Sequence, residues 1–236
     1  SNSFLQLVEA YPDAVVVGLT ATPVRGDGKG LGHIFDTIVK CPSIGELTDM
    51  NFLVPVRYFA PSQPDLDGIK IVRGDYDEDE LSTRMDKPKL VGDIITNWSK
   101  ICPDRPTIAF ASSVKHSIHI KEQFESIGVN AEHIDGMTPK AQRDDIITRF
   151  RKGKIQVLSN CMVLTEGTDI PRASCGILAR PTKSLGLFIQ MAGRILRPFD
   201  NKDDAILIDH SGAVYEHGFL NQDFPWSLDG KEKIQD

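Results

Sequence analysis

The chain has 236 residues, of which 40% are hydrophobic and 25% charged, enough for one sizeable soluble domain plus extra segments. A net charge of −6, from 27 Lys and Arg against 33 Asp and Glu, argues against nucleic-acid binding as the sole task, but not against a motor that grips a backbone locally. No apolar run nears the roughly 18 residues of a membrane span, no basic stretch leads into an apolar one at the start, and Cys41, Cys102, Cys161 and Cys175 form no CxxC pair. The expectation is a reduced, cytoplasmic chain with no membrane partner and no metal.

Ala14–Thr20 (AVVVGLT) predicts a buried strand. A Gly-rich loop follows at Gly26–Gly32, then an irregular stretch to Asn51, and Val54–Phe59 predicts the next strand. From Pro61 to Glu80 the composition turns polar and acidic, which predicts a surface excursion. Within it, Asp77-Glu78-Asp79-Glu80 reads as a solvated acidic face. Leu90, Val91, Ile94, Ile95, Trp98 and Ile101 mark one face of a helix, and Thr107–Ala111 is a short apolar strand. Val114, Ile118, Phe124 and Ile127 predict the stripe of another helix, stopped by Gly128. His116 and His119 fall on that helix, and without a third ligand they read as a solvated face rather than a metal pair. Strand-like runs recur at Ala131–Ile134, Ile155–Leu158, Ser174–Ala179 and Ala205–Ile208, with helical patterns at Pro139–Arg151 and Ser184–Leu196. Strands alternating with helices imply an α/β fold with a parallel sheet covered on both faces. Ligands bind such sheets where loops leave the C-terminal strand ends.

Three stretches carry chemistry. In Gln190-Met-Ala-Gly193-Arg194-Ile-Leu-Arg197, a continuous helix would bring positions 190, 194 and 197 within roughly 60° of one another. An amide and two guanidiniums on one face suit a phosphoryl group, and Gly193 would let another group approach; a basic surface helix is the plain alternative. Thr165-Glu-Gly167-Thr-Asp169-Ile-Pro171 offers a tight turn, a carboxylate for ribose hydroxyls and a hydroxyl for phosphate. By itself it reads as a turn. Gly18-Leu-Thr20-Ala21-Thr22-Pro23 runs from an apolar stretch into two hydroxyls, alone no more than a helix-start signal.

In this order and spacing the three resemble motifs III, V and VI of the superfamily 2 helicases. Thr107–Ser113 (TIAFASS) looks like motif IV, and Asp135-Gly136, Arg143 and the run Phe150 to Gly153 resemble the segment between motifs IV and V. The resemblance covers Val15 to about Asp209, and its flavour is the bacterial and phage DEAD/DEAH-box group related to type III restriction subunits. It implies a RecA-like three-layer α/β fold, a parallel sheet with helices on both faces, as in a second helicase domain. It further implies Arg197 as arginine finger on the γ-phosphate, Arg194 on the same oxygens, and Gln190 orienting the attacking water or sensing the phosphate. Asp169 would reach the ribose with Gly167 near the nucleotide. Thr165, Ser112 and Ser113 would meet the nucleic-acid backbone, while Thr20 and Thr22 would couple ATP state to grip.

No G-x-x-x-x-G-K-[ST] occurs, since Gly28-Lys29-Gly30, Gly153-Lys154-Ile155 and Gly230-Lys231-Glu232 all fail at the hydroxyl position. No apolar strand ends in D-E-x-H or D-E-x-D. The phosphate cradle and the Mg²⁺ carboxylate are thus expected in a first RecA-like domain, missing here and needed in cis. The sequence reading divides the chain into a remnant of that domain and linker at 1–49, the second RecA-like domain at 50–212, and the start of an extension at 213–236. It expects ATP with Mg²⁺ in the full-length protein, none held tightly by this chain alone, and nucleic acid as partner, with DNA favoured over RNA. Rival readings are a nucleic-acid-binding or regulatory module that never hydrolyses ATP, and a nucleotide-sugar transferase on a similar parallel fold.

Overall fold

The computed structural model describes residues 2–23, 30–165 and 168–229. In chain order they form α1 (Asn2–Ala10), α2 (Ile44–Asp49), β1 (Val56–Phe59), β2 (Ile71–Val72), β3 (Asp75–Tyr76), α3 (Glu78–Met85), α4 (Pro88–Ile101) and β4 (Thr107–Ala111). There follow α5 (Val114–Ser126), β5 (Ala131–Ile134), α6 (Lys140–Arg151), β6 (Val157–Asn160), β7 (Cys175–Ala179), α7 (Leu185–Gly193), β8 (Ala205–Asp209) and α8 (Ala213–His217). Six strands make one parallel sheet in the order β1-β8-β7-β4-β6-β5, and β2 and β3 pair separately as an antiparallel hairpin. The chain runs from β4 outwards to β5, back to β6, and then crosses to β7 on the other side of β4. The order therefore reverses around β4, the kind of place where α/β sheets bind ligands.

Alternation along the strands builds two cores. Ile108 and Phe110 of β4, Leu178 of β7 and Leu207 of β8 face Ile146 and Phe150 of α6 and Phe188 and Met191 of α7. Ala109, Ala111, Ile177, Ile206 and Ile208 face the other way, onto Val91, Ile94 and Trp98 of α4 and Ile120 and Phe124 of α5. The result is a three-layer α/β sandwich of the RecA-like kind, as expected. Trp98 Nε1 donates to Thr107 Oγ1 at 2.8 Å, so this large ring enters the core with its one polar atom satisfied. No helix among the described residues is long and apolar enough to cross a membrane.

Several local expectations need correcting. Residues 14–20 form no strand and are exposed, with Val15 at 91% and Leu19 at 94%. A strand needs a neighbour to accept its ladder bonds, and the edges of this sheet are β1 and β5. The sequence reading names no element at α1, and its irregular stretch up to Asn51 misses α2. The second is started by a capping box, in which Ser43 Oγ accepts from Glu46 N at 3.2 Å and Glu46 Oε2 accepts from Ser43 N at 2.7 Å. The acidic run 77–80 is less a passive face than a helix start. Asp77 caps α3 by accepting from Glu80 N, and Glu78, Asp79 and Glu80 fill its first turn, where the helix dipole favours negative charge. Of the expected loop at Gly26–Gly32, residues 26–29 lie outside the described residues.

The buried face of α5 also differs from the apolar stripe. His116, Ser117, Ile120 and Phe124 are buried, whereas Val114, Ile118 and Ile127 are 40%, 38% and 49% exposed. The polar pair can be inside because each finds a partner: Ser112 Oγ lies 2.9 Å from His116 Nδ1, and Ser117 Oγ lies 2.7 Å from both His133 Nδ1 and Ser159 Oγ. His116 is therefore no solvated residue, and His119 is held by Asp86 at 2.8 Å. The strand expected at Ile155–Leu158 begins two residues later and ends at Asn160. Cys102 and Cys175, distant in sequence, bring their sulfurs to 3.4 Å as free thiols.

Candidate nucleotide and nucleic-acid site

The segment between β6 and β7 must return from the C-terminal end of one parallel strand to the N-terminal end of another, so it crosses the face carrying α6 and α7. Asn160, fully buried at the end of β6, starts it: its Nδ2 donates to Ala109 O at 2.9 Å and its Oδ1 accepts from Leu164 N at 3.2 Å. Thr165 Oγ1 then turns back to Met162 O at 3.2 Å, and Met162 takes a left-handed φ of 58°.

Three arginines converge on this crossover. Arg194 donates from Nη1 to Thr168 O at 2.8 Å and from Nε to Thr165 O at 3.2 Å. Arg197 pairs with the Asp169 carboxylate. Arg151, which the sequence reading did not single out as functional, donates from Nε to Asp169 O at 3.0 Å. The geometry differs from the expected continuous helix, because α7 ends at Gly193 and Arg194 is its C-cap. Arg197 thus stands on the chain leaving the helix. The guanidiniums nevertheless meet, because Lys202 staples that chain to the crossover. Its ammonium donates to Pro171 O, Ala173 O and Arg197 O at 2.9, 2.6 and 2.7 Å. Burial, with Arg105 and Arg197 nearby, pushes Lys202 down to about 8.

Gln190 Nε2 donates to Thr22 Oγ1 at 3.3 Å, so the two ends of the sequence pattern touch. Thr22 is buried, while the exposed Thr20 uses its Oγ1 to accept from Thr22 N at 3.1 Å. A methyl group added at Gly193 would meet nothing within 4 Å among the described residues. Gly167 lies outside the described residues.

Ser112 and Ser113 sit elsewhere, at the C-terminal end of β4. Ser112 is buried against His116, and Ser113 caps α5 by accepting from His116 N at 3.1 Å while also taking a hydrogen bond from Ser82 Oγ at 2.8 Å. Nearby, Asp135 follows β5. Burial alone would raise its carboxyl, but His133 Nε2 at 3.1 Å and the amides of Met137 and Thr138 outweigh that and hold it below the usual range. Arg143 Nη2 donates to Asp135 O and Thr138 O at 3.2 and 3.1 Å, tying this turn to α6. The candidate residues therefore form two groups. One is a guanidinium cluster beside the crossover, and the other is a strand-end face lined by hydroxyls. Only the second follows the strand-end rule, since Asp169, Arg194 and Arg197 sit on a returning crossover and past a helix end.

The donor set suits one flank of a nucleotide. Asp169 and Arg197 side chains are 69% and 37% exposed, so their pair is cheap to break, worth about 0–1 kcal/mol. The arginines can then turn to phosphoryl oxygens, which accept the same planar fork.

Known proteins resemble this chain in both sequence and fold. Residues 86–198 match the family described as "Helicase conserved C-terminal domain". A 51.5 kDa protein of a Lactococcus phage is 32% identical over 95% of this chain and 49% of its own length. The Saccharomyces cerevisiae protein named as ATP-dependent helicase IRC3 is 33% identical over 90% of this chain and 32% of its own length. The chain thus spans about half or less of these curated relatives. Among solved structures, a fragment of an HsdR subunit of a type I restriction enzyme from Vibrio vulnificus superposes with a TM-score of 0.72 at 20% identity, over 99% of this chain and 46% of that one. Residues 86–198 thus match the helicase conserved C-terminal domain family, on a fold shared with the solved HsdR fragment.

Proposed function

We propose that this chain supplies the second half of an ATP-dependent nucleic-acid motor, a helicase or translocase, whose ATP site is completed across a cleft by another RecA-like domain. The observation that carries this reading is the convergence of Arg194 and Arg197 on Thr168 and Asp169, each guanidinium held by acceptors that a phosphoryl group can replace, with Gln190 four positions before Arg194 and bonded to Thr22. Arg197 acts as arginine finger, Arg194 binds the same oxygens, and Gln190 orients the attacking water or senses the phosphate through Thr22. Asp169 meets the ribose, with Gly167 beside it. Thr165, Ser112 and Ser113 grip the backbone of a strand, with DNA favoured over RNA, and Thr20 and Thr22 couple the two. ATP arrives with Mg²⁺ and supplies the γ-phosphoryl group. This sequence offers no Gly-Lys-hydroxyl cradle for it, and among the described residues no three acidic, His or Cys groups gather for a metal. The domain division at 1–49, 50–212 and 213–236 and a cytoplasmic setting belong to the same proposal.

The chain alone should show no ATPase and no tight saturable site for ATP–Mg²⁺. In protein containing both motor domains, Arg197→Ala should leave folding and nucleotide affinity near wild type. Hydrolysis should fall on the order of 10³-fold or more, because the finger acts on charge that develops in the transition state. Arg197→Lys should rescue little, since an ammonium cannot reproduce the fork. Steady-state ATPase and nucleotide affinity on the same preparations decide it: near wild-type turnover in both variants leaves only a basic surface at this position. A module that never hydrolyses ATP, the alternative reading, predicts no turnover in any context.

A further inference from the structure

Between β1 and α4 the chain leaves the sheet for residues 61–87, which hold β2, β3 and α3. This excursion carries eight Asp or Glu against four Lys or Arg. Its apolar contacts are largely its own: Ile69, Leu81 and Met85 form a small cluster with Leu66, Tyr76 and Leu90, separate from both main cores. Polar bonds hold it to the body. Ser82 reaches Ser113 at 2.8 Å, and Asp86 binds His119 at 2.8 Å and Lys115 at 3.1 Å.

The most informative of these bonds is made by Asp75. Its Oδ1 accepts from the Lys183 backbone N–H at 2.7 Å and its Oδ2 from Thr182 Oγ1 at 2.8 Å. Both donors stand where the chain leaves β7 and begins the nine-residue α7, the end of a helix that attracts anions. Beneath them lies Arg180, only 4% exposed. Its Nη1 donates to Ser112 O at 3.4 Å, its Nη2 stands 3.8 Å from the carboxylates of both Asp75 and Glu78, beyond hydrogen-bonding reach, and its buried Nε has no hydrogen-bond partner among the described residues. A guanidinium buried this deeply is costly unless an anion sits against it, and two carboxylates held at 3.8 Å leave it short of hydrogen bonds. A tetrahedral phosphate, with more acceptor oxygens, could take the amide, the hydroxyl and the guanidinium together. A cavity of about 130 Å³ opens along the same seam, lined by Gln63, Tyr76, Thr182, Ser211 and Glu216.

We propose that Arg180, Thr182 and the Lys183 amide form a phosphate seat for the nucleic-acid backbone, and that Asp75 occupies it as an internal competitor. The acidic excursion then acts as a plug that a bound strand displaces. This rests on the motor reading above, because it assumes that a strand crosses the strand-end face beside Ser112 and Ser113.

The test uses the 236-residue chain and variants Asp75→Asn and Asp75→Ala, with a fluorescein-labelled dT20 strand and inorganic phosphate as probes. Removing the competing carboxylate should tighten strand binding about tenfold, the usual worth of a charge-assisted bond. It should also steepen the logarithmic salt dependence by about 0.7, the value for one more phosphate contact on a single strand. The Lys183 amide NMR signal should shift on adding dT20 to either variant, and Asp75→Asn with Thr182→Val should lose most of the gain. If the wild-type chain binds dT20 and both Asp75 variants bind it equally well, with lower thermal stability, Asp75 is a structural tether and the seat is refuted. If only inorganic phosphate moves the Lys183 signal, the strand assignment is refuted. If no form binds dT20 at any salt, the failure lies with the nucleic-acid reading itself.

Discussion

Two histidines show how little of a residue's state is written in its type. His116 and His210 are buried, and each has a ring Nε2 without a hydrogen-bond partner among the described residues. Ser112 N points at His116 Nδ1 at 3.4 Å, so that nitrogen accepts and the imidazole is neutral. Burial pushes both rings down to about 4, against the attraction of Asp86 for His116 and of Asp209 and Asp93 for His210; for His116, the neighbouring His119 adds to the fall. Their folded values lie below the unfolded value near 6.5, so the unfolded chain takes up protons first. Their contribution is therefore complete above about pH 6.5 and is lost as pH falls towards 4, by up to on the order of 3 kcal/mol for His116. Urea midpoints at pH 7, 6, 5 and 4.5 should decline steadily, and a flat profile would show that water reaches both rings.

At the scale of elements, periodicity located helices and strands well but misjudged faces and ends. On α5 the apolar stripe placed Phe124 correctly but Val114, Ile118 and Ile127 on the wrong side, because a count of apolar residues gives no credit to a histidine and a serine whose partners come from β5, β6 and the β4 end. The consequence is measurable. Ile120→Ala, at a fully buried position, should cost about 3 kcal/mol, whereas Ile118→Ser, at 38% exposure, should cost no more than about 0.5 kcal/mol. Comparable losses in chemical denaturation would restore the original stripe. The early end of α7 has a similar cause. Beyond Gly193, Val54 N donates to Leu196 O at 2.8 Å and Lys202 takes Arg197 O at 2.7 Å, so tertiary partners claim carbonyls near and beyond the helix end.

For the whole molecule, residues 14–20 are the outstanding mismatch between pattern and environment. Val15, Val17 and Leu19 are 91%, 75% and 94% exposed, although their apolar run is that of a central strand. Side chains with no packing partners contribute nothing to this domain. The double change Val15→Ser and Leu19→Ser should therefore move its thermal midpoint by less than about 2 °C. A larger drop would mean that the segment packs against the body. The same segment shows where sequence stops being sufficient. Alternating apolar strands and amphipathic helices determined the α/β class, the parallel sheet and most element positions, because burying apolar faces on both sides leaves few other arrangements. The order of three short motifs pointed to the helicase family that residues 86–198 match, since Gln190, Arg194, Arg197 and Asp169 are specific residue types at specific spacings. Only the tertiary structure decided that the arginines meet on a returning crossover stapled by Lys202, and that an acidic excursion lays Asp75 against Arg180, 105 positions further along the chain. Such contacts depend on which strands become neighbours in space, and local periodicity carries no record of distant partners.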